Sequence, residues 1–79
     1  MQYRYNTIGA CCREWRKDKN ITASEMASYI GCSEQNITAF ERSENVSGRI
    51  LLEYVARGLM LLGVADGLYI CQDRNGVVL

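Results

Sequence analysis

Histidine and proline are both absent from the 79 residues of the chain. Without histidine, the chain lacks the commonest general base at neutral pH and a frequent zinc ligand. No serine, cysteine or carboxylate stands in a recognisable catalytic setting either. We therefore expect no enzymatic activity, and no cofactor or metal ion.

The cysteines are few and form no C-x-x-C pair, so the usual zinc-binding spacing is missing as well. We expect them to be buried free thiols that act as small hydrophobes. A disulfide is the alternative. The residues concerned are Cys11, Cys12, Cys32 and Cys71.

A long apolar run is also missing. The richest apolar stretch, residues 59–65, is far shorter than the roughly 20 residues that span a bilayer, and the N-terminus lacks the pattern of a signal peptide. We expect a cytoplasmic protein with no membrane partner.

Net charge is zero, since nine basic residues face nine acidic ones. The charges are unevenly placed: five basic and two acidic residues give +3 over residues 1–20, whereas one basic and four acidic residues give −3 over residues 21–48. Attraction to DNA depends mainly on phosphate neutralisation. A neutral monomer should therefore bind DNA weakly unless its cations gather on one face.

The most informative pattern that is present lies over residues 23–41. Thr22 is placed to cap a helix, and Glu25 follows at capping-box spacing. Gly31 then suits a left-handed turn, and Ser33 is placed to cap a second helix. Two short helices joined by such a turn form a helix-turn-helix.

Several residues repeat the order and spacing of a known motif: Ala27, Gly31-Cys32-Ser33, Ile37-Thr38 and Glu41. Together they resemble the Cro/repressor (XRE-type) helix-turn-helix family of phage and bacterial regulators, over roughly residues 8–59. The resemblance implies a sequence-specific transcriptional regulator, with repression as the simplest outcome. It also implies a homodimer on double-stranded DNA, in the cytoplasm of a bacterial cell or a phage-infected host.

The resemblance also implies which residues touch DNA, because the second helix of such a motif lies in the major groove. The residues that match by position are Ala23, Ser33, Glu34, Gln35, Asn36, Thr38, Ala39, Arg42 and Arg49. Gln35 and Asn36 suit adenine, and the two arginines suit phosphate. Glu34 and Ala23 depart from the family pattern, and a merely solvated helix start is the alternative reading of residues 34–36.

Inside the motif, Ile37 and Phe40 are expected in the core. Glu41 is expected to support the fold by an ion pair or cap, with Arg13 or Arg16 as the partner that the resemblance implies. Lys17 and both of these arginines are otherwise expected on the outer side of the first helix, either solvated or touching phosphate.

Further helices are predicted on both sides of the motif. The first follows a cap at Asn6 or Thr7 and carries the core stripe Ile8, Cys11, Cys12 and Trp15. After the motif, Ser47 caps an apolar stripe that reaches Leu62, and Gly58 can divide it into a fourth and a fifth helix. The stretch before the first helix is either a short strand or an ordered arm.

A β-hairpin is predicted over residues 68–79, because Asn75-Gly76 is a strong turn signal between two β-rich runs. Both strands are apolar on both faces, so we expect them to pair with a second copy of the chain. The predicted dimer interface consists of Leu68, Tyr69, Ile70, Cys71, Val77, Val78 and Leu79.

The predicted fold is therefore mainly α: a single domain, residues 1–79, with four or five helices in a Cro/repressor-like arrangement and a C-terminal β-hairpin. An alternative function shares this fold. The chain would then be a protein-binding module, or a phage-encoded inhibitor acting on a host protein. Neutral charge, Glu34 and Ala23 favour that alternative.

Overall fold

The structure is a computed structural model that describes residues 2–76. Over this range, four α-helices combine with a three-stranded antiparallel sheet. The elements in chain order are β1 (Gln2–Tyr5), α1 (Ile8–Asp18), α2 (Ala23–Ile30), α3 (Glu34–Arg42), α4 (Gly48–Ala56), β2 (Leu59–Ala65), β3 (Leu68–Asp73) and a 3₁₀ turn (Arg74–Gly76).

The predicted mainly α class is wrong, because the chain forms a small α+β structure. The helix that begins after Ser47 ends at Ala56 rather than reaching Leu62. Gly58, with a φ of +127°, leaves the helical conformation, and the chain continues as β2. No fifth α-helix forms within residues 2–76, because the apolar run that suggested it is a strand.

The hairpin lies earlier in the chain than predicted. β2 and β3 are joined by Asp66 and Gly67, whose φ angles of 54° and 76° are both positive, as a type I′ turn requires. The predicted turn at Asn75-Gly76 instead belongs to the 3₁₀ segment. Val77, Val78 and Leu79 lie outside the described residues.

The first residues form a strand, so the strand alternative is confirmed for Gln2–Tyr5. β1 pairs with β3 rather than with a neighbour in sequence, and the strand order is β1-β3-β2. Tyr3 lies opposite Cys71, which lies opposite Leu61 on its other side. β3 is therefore the central strand.

One core joins the helices to one face of the sheet. Its buried side chains are Tyr3, Cys11, Cys12, Trp15, Met26, Ala27, Ile37, Phe40, Tyr54, Leu59 and Cys71. The predicted burial of Ile37 and Phe40 is confirmed, and three of the four cysteines are buried while Cys32 is half-buried. Burial raises the pKa of the Cys71 thiol to about 12, so this thiol stays protonated and unreactive at neutral pH.

Asp73, at the end of β3, ties the sheet to α1. Its carboxylate accepts a hydrogen bond from Trp15 Nε1 at 3.3 Å and forms an ion pair with Lys19. Burial acts to raise the pKa of this carboxyl, but the contacts with Lys19 and Trp15 outweigh burial and lower it. A second link joins Tyr3 to Asp18, whose carboxylate accepts from the hydroxyl at 2.7 Å.

None of the helices within residues 2–76 has the length and apolar character needed to cross a bilayer.

Gly9 allows the first turn of α1 to lie directly against the end of α3. A Cβ atom at this position would stand 2.5 Å from the carbonyl oxygen of Phe40 and 2.9 Å from that of Glu41. Both obstacles are backbone atoms, so relief would require the two helices to separate. At Gly48, the start of α4, a Cβ atom would meet no atom within 4 Å among residues 2–76, apart from its chain neighbours and its own helix.

We expect Gly9→Ala to lower the free energy of unfolding by about 1–3 kcal/mol, because it overpacks this contact. Gly48→Ala is the matched control, and it should be neutral or stabilising by about 0.4–1 kcal/mol, since it only restricts the unfolded chain. Urea unfolding followed by circular dichroism measures both. Equal effects of the two substitutions would contradict the close packing of α1 on α3.

Candidate nucleic-acid interface

Helix α2 begins as the capping-box spacing predicts. The Thr22 hydroxyl accepts a hydrogen bond from the Glu25 amide at 3.0 Å, and the Glu25 carboxylate accepts from the Thr22 amide at 3.3 Å. The helix ends at Gly31, where φ is 82° and the amide donates to the carbonyl of Ala27 at 2.8 Å. These local bonds fix where the turn between α2 and α3 starts.

Three residues separate the end of α2 from the start of α3. The Ser33 hydroxyl accepts from the Asn36 amide at 3.2 Å and so caps the helix. The bounds of both helices, Ala23–Ile30 and Glu34–Arg42, agree with the predicted motif. The chain therefore contains a helix-turn-helix arrangement at the predicted place.

The predicted reading residues of α3 lie on its outer face. Ile37, Phe40 and Glu41 are buried against the rest of the molecule. The remaining positions are open to solvent, fully or in part: Glu34, Gln35, Asn36, Thr38, Ala39 and Arg42. The polar groups of this face are thus available to a partner.

Three predicted contact residues have structural roles as well. Ser33 is exposed but uses its hydroxyl as the cap of α3. Thr38 is half-buried, and its hydroxyl donates to the carbonyl of Gln35 at 3.1 Å. Ala23 is half-buried and packs against the core at the start of α2.

Two of the predicted contact residues are exposed arginines. Arg42 is the last residue of α3 and is exposed. Arg49 comes from α4, and its guanidinium donates to the carbonyl of Ile30, just before the turn, at 3.3 Å.

Acidic side chains share this part of the surface. Glu25 and Glu34 are exposed at the starts of α2 and α3, and Glu44 is exposed just after α3. Glu25 and Glu34 complement the positive ends of the helix dipoles at these two helix starts. Together the three glutamates outnumber Arg42 and Arg49, so the motif attracts phosphate only weakly by itself.

The orientation of α3 is fixed on its buried side by Glu41, which is only 4% exposed. Its carboxylate accepts from Arg16 Nε at 2.8 Å and Nη2 at 3.0 Å, and from the Tyr54 hydroxyl at 2.6 Å. These bonds join α1, α3 and α4. The predicted ion pair of Glu41 is confirmed, with Arg16 as the partner.

Arg16 is therefore buried, at 8% exposure, and its expected place on the outer side of α1 is wrong. The hydrogen bonds to Glu41 raise its pKa further, which keeps the guanidinium charged. Arg13 is exposed and pairs with Glu14 at 3.1 Å instead. Lys17 is exposed as expected.

Tyr54 was not among the predicted site residues. Burial, followed by the hydrogen bond to Glu41, raises its pKa, so the hydroxyl remains a donor throughout the physiological range. The sequence does contain a signal for this role, because Tyr54 lies within the apolar stripe of α4. A tyrosine that is buried with such a stripe needs a hydrogen-bonding partner for its hydroxyl.

The predicted dimer interface is not available as an open strand edge. Leu68, Tyr69, Ile70 and Cys71 lie in β3, both edges of which are already paired within the chain. Cys71 is also buried in the core. Pairing of these residues with a second copy along a free strand edge is therefore excluded, because β1 and β2 flank β3. A dimer contact through the half-buried side chains of Leu68, Tyr69 and Ile70 stays a prediction.

Comparison with protein-family models, with curated proteins and with solved structures finds no match to this chain. The family resemblance of the motif therefore stays a prediction from the sequence.

We expect Glu41→Gln to destabilise the fold by about 3–5 kcal/mol, because it leaves the Arg16 charge buried without an opposite charge. Tyr54→Phe is the comparison, and it should cost only about 0.5–1.5 kcal/mol, since the ion pair remains. Thermal and urea unfolding measure both values. If both variants lowered the free energy of unfolding by the same small amount, the ion pair between Glu41 and Arg16 would not be what holds α3 in place.

Proposed function

We propose that this chain is a sequence-specific DNA-binding transcriptional regulator that places α3 in the major groove. The observation that carries the proposal is the outer face of α3, where Gln35 and Asn36 are exposed at the start of a helix held by a capped turn. This is the end of such a helix that approaches base edges in helix-turn-helix proteins.

The chemistry of that face suits base reading. The amide of a glutamine or an asparagine can both accept from N6 and donate to N7 of adenine, so each can recognise one adenine through two hydrogen bonds. Arg42, the last residue of α3, and Arg49, which contacts the end of α2, would supply phosphate contacts beside the groove. The buried Glu41 network supports the rigid presentation that such contacts need.

Charge limits how a single copy can act. The chain is neutral and its motif carries more acidic than basic side chains, so a monomer would have a shallow salt dependence and a modest affinity. We therefore include a homodimer in the proposal, because two copies double the phosphate contacts and read two half-sites about 34 Å apart. Repression by occupying an operator is the simplest outcome.

We expect Gln35→Ala with Asn36→Ala to lose about 1–3 kcal/mol of binding for each adenine pair, while the fold stays intact. Binding is measured by fluorescence anisotropy on a duplex selected from a random pool. Gln2→Ala with Asn6→Ala is the control, since it removes two exposed amides that lie outside α2 and α3. Unchanged affinity and unchanged sequence choice in the α3 variant would show that α3 is not the reader.

We expect Glu34→Gln to raise the affinity for non-specific duplex roughly two- to fivefold at about 50 mM salt, because it removes a charge that repels phosphate. Asp66→Asn, at the β2–β3 turn, removes one negative charge away from α3 and should leave affinity unchanged. Equal effects of both variants would mean that Glu34 does not face DNA.

A chain that binds no duplex even at about 50 mM salt would contradict the proposal. The acidic side chains of the motif would then favour a protein partner for the same face.

A further inference from the structure

The Asn75-Gly76 pair lies outside the hairpin turn, in the 3₁₀ segment that follows β3, and Asn75 is exposed. An asparagine followed by glycine is the pair most prone to deamidation. The reaction requires the next backbone nitrogen to reach the side-chain carbonyl carbon. Glycine leaves that approach open, because it has no Cβ atom and the widest range of backbone angles.

The other four asparagines are each followed by a β-branched residue. The pairs are Asn6-Thr7, Asn20-Ile21, Asn36-Ile37 and Asn45-Val46. Two heavy atoms on Cβ crowd the backbone nitrogen and hinder its approach. Exposure does not separate these sites from Asn75, since all five asparagines are exposed. The residue that follows is therefore what distinguishes Asn75 from the others.

The 3₁₀ segment is short enough to open locally. It has three residues, Arg74–Gly76, and a 3₁₀ turn has poorer hydrogen-bond geometry than an α-helix. Helical angles hold the Gly76 nitrogen away from the Asn75 side chain, so the reaction requires this turn to open. The amide of Arg74 donates to the carbonyl of Gly58 at 2.6 Å and anchors the start of the segment. We expect the opening to cost little, because short exposed segments have low local stability.

We propose that Asn75 deamidates spontaneously, and that it does so before any other asparagine of the chain. The Gly76 backbone nitrogen loses its proton and forms a bond with the side-chain carbonyl carbon of Asn75. The bond from that carbon to the amide nitrogen breaks, and ammonia leaves with the proton. Water then opens the resulting succinimide ring at one of its two carbonyl groups, which gives aspartate or isoaspartate at position 75.

The product places a second carboxylate beside Asp73. A Cβ atom built on Gly58 would stand 3.1 Å from Oδ1 of Asp73 and 3.5 Å from the side-chain nitrogen of Asn75, so both atoms lie over the same glycine. Deamidation replaces that nitrogen by an oxygen of a charged carboxylate. Two neighbouring carboxylates repel each other, and here they compete for the ammonium group of Lys19.

Asp73 is the residue that ties the sheet to α1, through Trp15 and Lys19. Its carboxylate also accepts a hydrogen bond from the backbone amide of Asn75. Isoaspartate adds one carbon to the main chain directly after this amide, so the 3₁₀ turn no longer fits. Both products therefore weaken the link between β3 and α1. The inference is independent of the proposed DNA binding, because none of these residues lies in α2 or α3.

Peptide mapping by mass spectrometry, after prolonged incubation of the native chain at neutral pH, tests the site. We expect the mass gain of an amide-to-acid change in the peptide that contains Asn75 before any other peptide shows it. The reaction should be at most about tenfold slower than in guanidinium chloride, since an exposed three-residue segment opens at the low end of local unfolding costs. It should also accelerate as the pH is raised, because the Gly76 amide attacks without its proton.

Two variants test whether the following residue controls the reaction. Gly76→Val gives Asn75 a β-branched neighbour and should prevent deamidation within the same incubation. Val46→Gly is the converse variant, because it creates a second Asn-Gly pair in an exposed loop, and it should add deamidation at Asn45. Isomerisation of Asp66 cannot be mistaken for either result, since it leaves the mass unchanged.

Asn75→Asp tests the effect on the fold, because it carries the charge of one product. We expect it to lower the urea midpoint by about 0.2–0.5 M, as a close pair of like charges does. It should also change the fluorescence of Trp15, the sole tryptophan, whose indole bonds to Asp73. Asn45→Asp is the matched control, since it adds the same charge in the loop between α3 and α4 and should leave both readouts unchanged.

A native chain that shows no mass gain at Asn75, or an earlier gain at another asparagine, would overturn the proposal. So would equal effects of Asn75→Asp and Asn45→Asp on the midpoint and on the fluorescence, because the new carboxylate would then not act on Asp73.

Discussion

A single buried carboxylate holds the arrangement of the helices. The carboxylate of Glu41, on α3, accepts hydrogen bonds from Arg16 of α1 and from Tyr54 of α4. These bonds hold the three helices together at one point. A buried charge is tolerated only when it is paired, so Arg16 is required, and the Tyr54 hydroxyl adds one further hydrogen bond to the carboxylate. Gly9 adds to this constraint, because it lets α1 reach the same end of α3.

The part of the structure that could be predicted from the sequence is the part that local bonds determine. Three local features mark the ends of α2 and α3: the caps at Thr22 and Ser33 and the left-handed Gly31. Each forms its hydrogen bond within four residues along the chain, and each requires a residue type that is visible in the sequence. The placement of Gln35 and Asn36 on an exposed face followed from the same signals. The burial of Ile37 and Phe40 followed from their spacing.

The sheet could not be predicted in the same way, because its pairings join distant residues. Leu59 and Leu62 continue the helical spacing of α4, and a short apolar run is compatible with either a helix or a strand. The predicted hairpin rests on Asn75-Gly76, whereas the hairpin turn forms at Asp66-Gly67, a pair that also suits a tight turn. Nothing local to β1 indicates that its partner is β3.

The pairing of β1 with β3 also has a consequence for synthesis in the cell. The first strand leaves the ribosome more than 60 residues before the strand it pairs with, since Tyr3 lies opposite Cys71. The helices can form during that interval because their bonds are local, but the sheet cannot close. Until β3 emerges, Tyr3 and the side of α1 that packs on the sheet, including Cys11, lack their partner, which is the interval in which a chaperone or a protease would encounter this chain.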